Sequence, residues 1–215
     1  MPRAAASPVT QRGYRAGVPS ARRGRRFPAE VLPPAEVRAL VRACSNRAPT
    51  GIRNRALIVV MWRGGLRLGE ALALKTSDVD AAAGSVWVFH RKRDKARTVR
   101  LDPTAMAVLA RWIERRRELG IRSQELFCTL DGRSLHRSYV DTLLGRLARK
   151  VGIEKRVTPH ALRHSHAAEL VWERVPAPFI RDQLGHSSLA VTDRYLRNLL
   201  TIDLLEAMQR RSSSL

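Results

Sequence analysis

The chain has 215 residues, 44% of them hydrophobic, which is enough for one domain with a sizeable core and a short appendage. Lys and Arg number 40 against 19 Asp and Glu, a formal charge of +21, and such an excess implies a polyanionic partner, because each phosphate neutralised releases condensed counterions. An anionic membrane would attract the same charge, but no apolar run is long enough to span a bilayer and the basic N-terminus has no signal-type apolar segment, so the reading is a cytoplasmic protein that faces DNA.

Residues 1–32 read as a basic arm. Arg3, Arg12, Arg15, Arg22, Arg23, Arg25 and Arg26 occur there with no acid before Glu30. Ala, Ser, Pro and Gly fill the gaps, and such a segment buries too little apolar surface to offset its ordering entropy. It is expected to be disordered in the free protein. It is either a solvated tail or an arm that tracks a DNA backbone or enters a minor groove, with Arg22, Arg23, Arg25 and Arg26 as its contacts.

Residues 33–215 read as one folded domain. Pro34-Ala35-Glu36-Val37 fits a helix start, with proline and an acid in the first turn, and Val37, Leu40, Val41 and Cys44 keep helical spacing. Arg53 to Trp62 reads as a second, more buried helix that Gly64-Gly65 interrupts, and Leu66 to Leu74 as a short third one. Ser85-Val86-Trp87-Val88-Phe89 and Ala96 to Leu101 read as a β-hairpin with the charged tip His90-Arg91-Lys92-Arg93-Asp94-Lys95. Leu126-Phe127-Cys128-Thr129 is expected to add a short third strand. Helical patterns return over 104–119, 138–151, 159–171, 176–184 and 202–210. The fold class is therefore mainly α with a small antiparallel β-sheet (α+β). Cys44 and Cys128 stand far apart in no metal-ligand pattern and read as small core residues.

Four segments carry chemistry. In Gly65-Leu66-Arg67-Leu68-Gly69-Glu70 an arginine enters an otherwise apolar helix start with an acid three residues on; by itself this is a structural ion pair. The hairpin tip offers Arg91, Lys92, Arg93, Lys95 and Arg97, either as a solvated end or as a basic finger against DNA. In His160-Ala161-Leu162-Arg163-His164, His160 and Arg163 face the same way on a helix and can converge on one phosphate. His160 and His164 have a zinc-compatible spacing, yet no third ligand is evident and no metal is expected. In Leu184-Gly185-His186-Ser187-Ser188, Gly185 fits a helix end and either serine can cap the next helix, which leads to Tyr195.

Taken together, Arg67, Lys92, His160, Arg163, His186 and Tyr195 resemble the active-site signature of the tyrosine recombinases, the phage integrase family, in order and in interval. The resemblance covers roughly residues 33 to 210. It implies the catalytic-domain fold of that family, Tyr195 as the nucleophile, and a 3′-phosphotyrosyl intermediate with a free 5′ hydroxyl. Arg67 and Arg163 would bind the non-bridging phosphate oxygens, His160 would accept the tyrosine proton, Lys92 would protonate the leaving oxygen, His186 would hydrogen-bond the phosphate, and Glu70 would support Arg67 or the backbone beside it. Because the phosphodiester energy is stored in the covalent link, neither metal, ATP nor another cofactor is expected. The implied partners are double-stranded DNA and further copies of the chain, as a dimer or tetramer on DNA. The stripe Leu199, Leu200, Ile202, Leu204, Leu205 and Met208 suits packing on a neighbour or on its own domain.

Most members of that family carry an N-terminal helical domain that closes the other half of a clamp on DNA, and no such separate domain is expected here. The arm, or a partner protein, would then replace it. Two other readings stay open: a non-catalytic DNA-binding accessory protein with this fold, and a type IB topoisomerase-like enzyme, which shares the chemistry and relaxes supercoils.

Overall fold

The computed structural model describes residues 31–90 and 95–185, and proline sets the start of five of the seven helices found there. Proline is suited to a first turn because its missing N–H would have no intrahelical partner and its φ is already helical. The helices are α1 (Pro34–Ala43), α2 (Pro49–Arg63), α3 (Leu68–Ala73), α4 (Pro103–Glu118), α5 (Arg137–Lys150), α6 (Pro159–Trp172) and α7 (Ala177–Leu184). The strands are β1 (Val79–Asp80), β2 (Ser85–His90) and β3 (Lys95–Arg100). The structure is thus mainly helical with one three-stranded antiparallel sheet in the order β1-β2-β3.

Helix α2 is the axis of the core. Ile52, Ala56 to Trp62 and even Arg53 and Asn54 are buried along it, as expected of a helix enclosed on all sides rather than one with a single apolar stripe. Helices α1, α4 and α6 pack around it. Two polar ties fix it. Trp62 Nε1 donates to Glu169 Oε1 of α6 at 2.7 Å, and Arg63 lies between Glu169 Oε2 (2.7 Å) and Asp102 Oδ2 (3.0 Å). Side-chain caps start two neighbours: Asp102 accepts from Ala105 N at 3.0 Å at the head of α4, and Thr158 from Ala161 N at 3.1 Å at the head of α6. Each cap stabilises by about 1 kcal/mol.

Strands β2 and β3 pair from Ser85↔Arg100 to His90↔Lys95. The two-residue period sends Val86, Val88 and Val99 into the core and leaves Trp87 and Phe89 outside, stacked with ring centroids 5.8 Å apart. The third strand is not Leu126–Thr129, as the sequence suggests, but Val79–Asp80, paired with Ser85 and Val86. The 126–129 run is apolar because it is buried, and its backbone is satisfied piecemeal. Leu126 N donates to Leu74 O (2.7 Å), Leu126 O accepts from Trp112 Nε1 (2.8 Å), and Cys128 O accepts from Arg53 Nη1 (3.0 Å). Helix α2 also begins at Pro49, ahead of the Arg53 start read from the pattern. Cys44 and Cys128 are both buried free thiols.

No helix among the described residues is long and apolar enough to cross a membrane. The basic arm with Arg22, Arg23, Arg25 and Arg26, the tip residues Arg91, Lys92 and Arg93, the side chain of Lys95, and the segment with His186, Tyr195 and the 202–210 pattern lie outside the described residues.

Candidate active site

The site begins where α2 ends. Gly65 turns the chain at φ +59°, and a Cβ there would stand 2.7 Å from both His166 Cδ2 and Leu184 Cδ2, so the turn demands glycine for conformation and for space. The turn buries Leu66 completely and brings Arg67 to the surface, its side chain 38% exposed. Arg67 stands just before α3, and Glu70 closes that helix start. Its Oε2 accepts from Arg67 N at 2.9 Å and its Oε1 from Arg67 Nη1 at 2.8 Å. A carboxylate in this position also answers the positive end of the helix.

A second guanidinium reaches the same carboxylate from the sheet. Arg97 of β3 donates from Nη1 to Glu70 Oε1 (3.1 Å) and from Nη2 to Glu70 Oε2 (2.9 Å), and from Nε to the Gln183 carbonyl (3.1 Å) near the end of α7. The sequence reading sets Arg97 among the cations that face DNA. Here it turns inward, on the same face of β3 as buried Val99, with its side chain 14% exposed and its fork committed to Glu70.

The third guanidinium comes from α6. Arg163 is 5% exposed. It donates from Nη1 to Gly65 O (2.5 Å) and from Nη2 to Leu184 O (2.6 Å). These bonds use two of its five N–H donors. Arg67 Nη2 approaches Gly185 O at 3.5 Å, so Arg67 and Arg163 flank the Leu184–Gly185 step from two sides. Gly185 ends α7 at φ +64°, and His186 is the next residue in the chain. His160, one turn before Arg163 on α6, is open to solvent and packs edge-on to His164, with ring centroids 3.9 Å apart and planes at 76°.

The charges explain what the arrangement is suited to hold. Two guanidiniums, Arg67 and Arg97, share one carboxylate, and a third, Arg163, feels its charge without bonding it. Burial alone would raise the Glu70 carboxyl, but hydrogen bonds and charge from Arg97, then Arg67, reverse this and hold it at about 2. Burial, and next the neighbouring charge of Arg67, push Arg163 down to about 9, which leaves it a cation at neutral pH. Desolvation, then Arg163 and Arg67, lower His160 below its ordinary 6.5, so its ring is neutral and able to accept a proton near pH 7. His166 is buried beside Gly65, and burial with Arg63 and Arg163 holds it neutral, down to about 3. Excess positive charge with a neutral imidazole at its edge is chemistry suited to a tetrahedral anion and to added charge on it.

Among the described residues the structure therefore brings together Arg67, Glu70, His160 and Arg163 of the residues named from sequence. The contribution of Arg97 was hidden by its place beside a basic tip. Its signal was the β-period: Arg97 and Val99 share a face, and Val99 is a core residue.

The model of the phage integrase family matches residues 30–200. The chain is 33% identical to tyrosine recombinase XerC of Serratia marcescens over 147 residues, which cover 68% of this chain and 48% of that protein. Among solved structures it resembles the XerA recombinase, with a TM-score of 0.74 and 28% identity, covering 86% of this chain and 67% of that one. It also resembles the XerH site-specific recombinase bound to a palindromic difH substrate in a post-cleavage complex. There the TM-score is 0.71 and the identity 28%, covering 84% of this chain and 52% of that one. The chain spans about half the length of the curated relatives it matches.

Proposed function

The chain belongs to the phage integrase family, and on that premise we propose that it is a site-specific DNA recombinase that cuts and rejoins strands through a covalent 3′-phosphotyrosyl link to Tyr195. The observation that carries the reading is the meeting of Arg67 and Arg163 at the Leu184–Gly185 step, beside the neutral His160. A phosphodiester repels nucleophiles with its own charge. Two guanidiniums on its non-bridging oxygens offset that charge and favour the more charged transition state over the ground state.

In the proposed step the Tyr195 oxygen attacks phosphorus and the bond from phosphorus to the 5′ oxygen breaks. The tyrosine proton passes to His160, and Lys92 gives a proton to the departing 5′ oxygen. His186 donates a hydrogen bond to the phosphate. Glu70 is not spent in the step; it fixes Arg67. Attack of a 5′ hydroxyl on the phosphotyrosine reverses the sequence and seals the strand, so neither metal nor ATP is required. Duplex DNA in the cytoplasm is the substrate, and a dimer or tetramer on that DNA is the acting unit. Arg91, Arg93 and Lys95 of the hairpin and Arg22, Arg23, Arg25 and Arg26 of the arm supply phosphate contacts, with the arm or a partner protein closing the far side of the duplex.

A suicide substrate tests this. A library of nicked duplexes with randomised sequence is incubated with the protein, and covalent adducts are recovered under denaturing conditions. Wild type is expected to yield an adduct that Tyr195→Phe lacks. Binding to the library with no adduct under any condition would instead favour a DNA-binding accessory protein.

A further inference from the structure

We propose that Arg97 is a positioning residue of this site: it holds Glu70 against Arg67 and anchors the end of α7 through the Gln183 carbonyl, so that the β-hairpin, α3 and α7 present the two phosphate-binding arginines as one unit. The inference rests on the recombinase reading above and deepens it.

Glu70 is the shared element. Its Oε1 accepts from both Arg67 Nη1 (2.8 Å) and Arg97 Nη1 (3.1 Å), and its Oε2 from Arg67 N (2.9 Å) and Arg97 Nη2 (2.9 Å). The carboxylate thus bridges two guanidiniums, one directed to solvent and one turned into the protein. The groups that face it are Arg67 from its own segment, Arg97 from β3 and Arg163 from α6. From α7 come only carbonyls, Gln183 O to Arg97 and Gly185 O to Arg67. The Arg97 Nε bond to Gln183 O turns the same side chain into a brace between the sheet and the α7 terminus, where Arg163 also donates to Leu184 O. Gly185 completes the fit. A Cβ there would come within 2.8–2.9 Å of Arg97 Nη1, Cδ and Cζ.

The geometry requires an arginine fork. Three acceptors, Glu70 Oε1, Glu70 Oε2 and Gln183 O, are met by Nη1, Nη2 and Nε of one planar group. A lysine ammonium keeps the charge but not that directed fork. Without Arg97, a side chain that is only 5% exposed keeps Arg67 as its one direct cation partner. Arg67 is itself more than a third exposed, and among the described residues its other side-chain contact is the long approach of Nη2 to Gly185 O at 3.5 Å.

Arg97→Lys and Arg97→Gln, compared with wild type, test the proposal through three readouts. The first is the rate of adduct formation on nicked duplexes selected by wild type from the randomised library. The second is the affinity for the same duplexes. The third is the titration of the Glu70 carboxyl by carbon NMR in the DNA-free protein. Both variants are expected to bind DNA within about threefold of wild type and to form adduct about 100-fold more slowly, the cost of misplacing groups that meet the reacting centre. In Arg97→Gln the Glu70 titration is expected to rise from about 2 towards its ordinary 4.5. If Arg97→Gln does not melt cooperatively, Arg97→Lys carries the same comparison.

Affinity and adduct rate that fall by one common factor, with Glu70 unmoved, would make Arg97 a direct DNA contact and overturn the proposal. So would adduct formation at the wild-type rate in either variant. Absence of an adduct with wild type itself, on every duplex of the library, would remove the recombinase reading and this inference with it.

Discussion

Arg53 and Arg163 are almost equally hidden, 3% and 5% exposed, and neither forms an ion pair with a carboxylate among the described residues. Their surroundings nevertheless differ in kind. Arg53, on the core helix α2, donates from Nε and Nη2 to Asn54 Oδ1 (3.2 and 3.1 Å), from Nη1 to Cys128 O (3.0 Å) and from Nη2 to the Tyr139 hydroxyl (2.6 Å). Its guanidinium carbon lies 5.0 Å from the centre of the Tyr139 ring. Every nitrogen is engaged, and the group ties α2 to α5 and to the loop at Cys128. Arg163 has two backbone carbonyls at Nη1 and Nη2, a second guanidinium as its neighbour, and the end of α7 against it, which His186 follows in the sequence. One arginine is enclosed by a complete set of neutral acceptors. The other, among the described residues, is held by two carbonyls and lies beside a second cation. Burial alone does not separate a structural arginine from a functional one; the balance of donors and charge around it does.

The largest expected effect breaks the second arrangement. Arg163→Gln removes a buried cation and leaves the fold its neutral hydrogen-bonding partner, so DNA binding weakens modestly while adduct formation falls by roughly 10²–10³-fold, the range for loss of one transition-state donor. Single-turnover rates on a nicked duplex check it, with melting curves to show that the variant is folded. A loss of stability in place of a loss of rate would reduce Arg163 to a second Arg53.

The complementary change is Arg53→Met. It strips the guanidinium from the Cys128 carbonyl, and leaves the Tyr139 hydroxyl and the Asn54 amide oxygen with only their mutual bond of 3.1 Å. The unpaired carbonyl costs about 1–3 kcal/mol and the lost charge-assisted bonds to the other two groups about as much again, so a total of about 4 kcal/mol is expected in urea unfolding. The adduct rate per folded molecule should stay as in wild type.

Acid titration sharpens the contrast at the carboxylate between Arg67 and Arg97. A carboxyl held at about 2 in the folded protein against 4.5 unfolded stabilises the fold fully above pH 4.5 and loses that contribution as the pH falls towards 2. The difference of two and a half units corresponds to roughly 3 kcal/mol. The stability gap between wild type and Glu70→Gln, followed by urea midpoints, should therefore be widest at neutral pH and close across that window. A gap that does not change with pH would mean that Glu70 is not paired as described.

How much of this could be read from the chain depends on the distance over which each feature is specified. The start of α1, the break at Gly64-Gly65 and the alternation of the hairpin are local, and they are legible. So is the turn that carries His160 and Arg163, since three residues of helix determine that they share a face. The contacts that make a site of them span much greater separations. Arg97 meets Glu70 across 27 residues, and Arg163 meets Gly65 across 98; no local pattern encodes such a meeting. The 126–129 run misleads for a related reason. Its apolar content reports burial, and burial serves a loop whose backbone bonds go singly to Leu74, Trp112 and Arg53 as well as it serves a strand. Thr50 and Gly51 obscure the first turn of α2, because neither shows the apolar spacing that marks the rest of the helix.

The smallest effect decides what holds the functional arginine. Thr158 caps α6 by accepting from Ala161 N, two residues before His160. Thr158→Ala should lower stability by about 1 kcal/mol, or about 2–4 °C in Tm for a chain of this size. If the cap also positioned Arg163, fraying of the first turn would lower the adduct rate well beyond that change. But Arg163 is bonded to Gly65 O at the end of α2 and to Leu184 O at the end of α7, anchors that do not pass through the first turn. The rate is therefore expected to stay within about twofold of wild type, since a protein stable by several kcal/mol remains folded after losing one. A tenfold loss of rate at that small cost in Tm would move the control of Arg163 from the two carbonyls to the helix start, and with it the ground for separating Arg163 from Arg53.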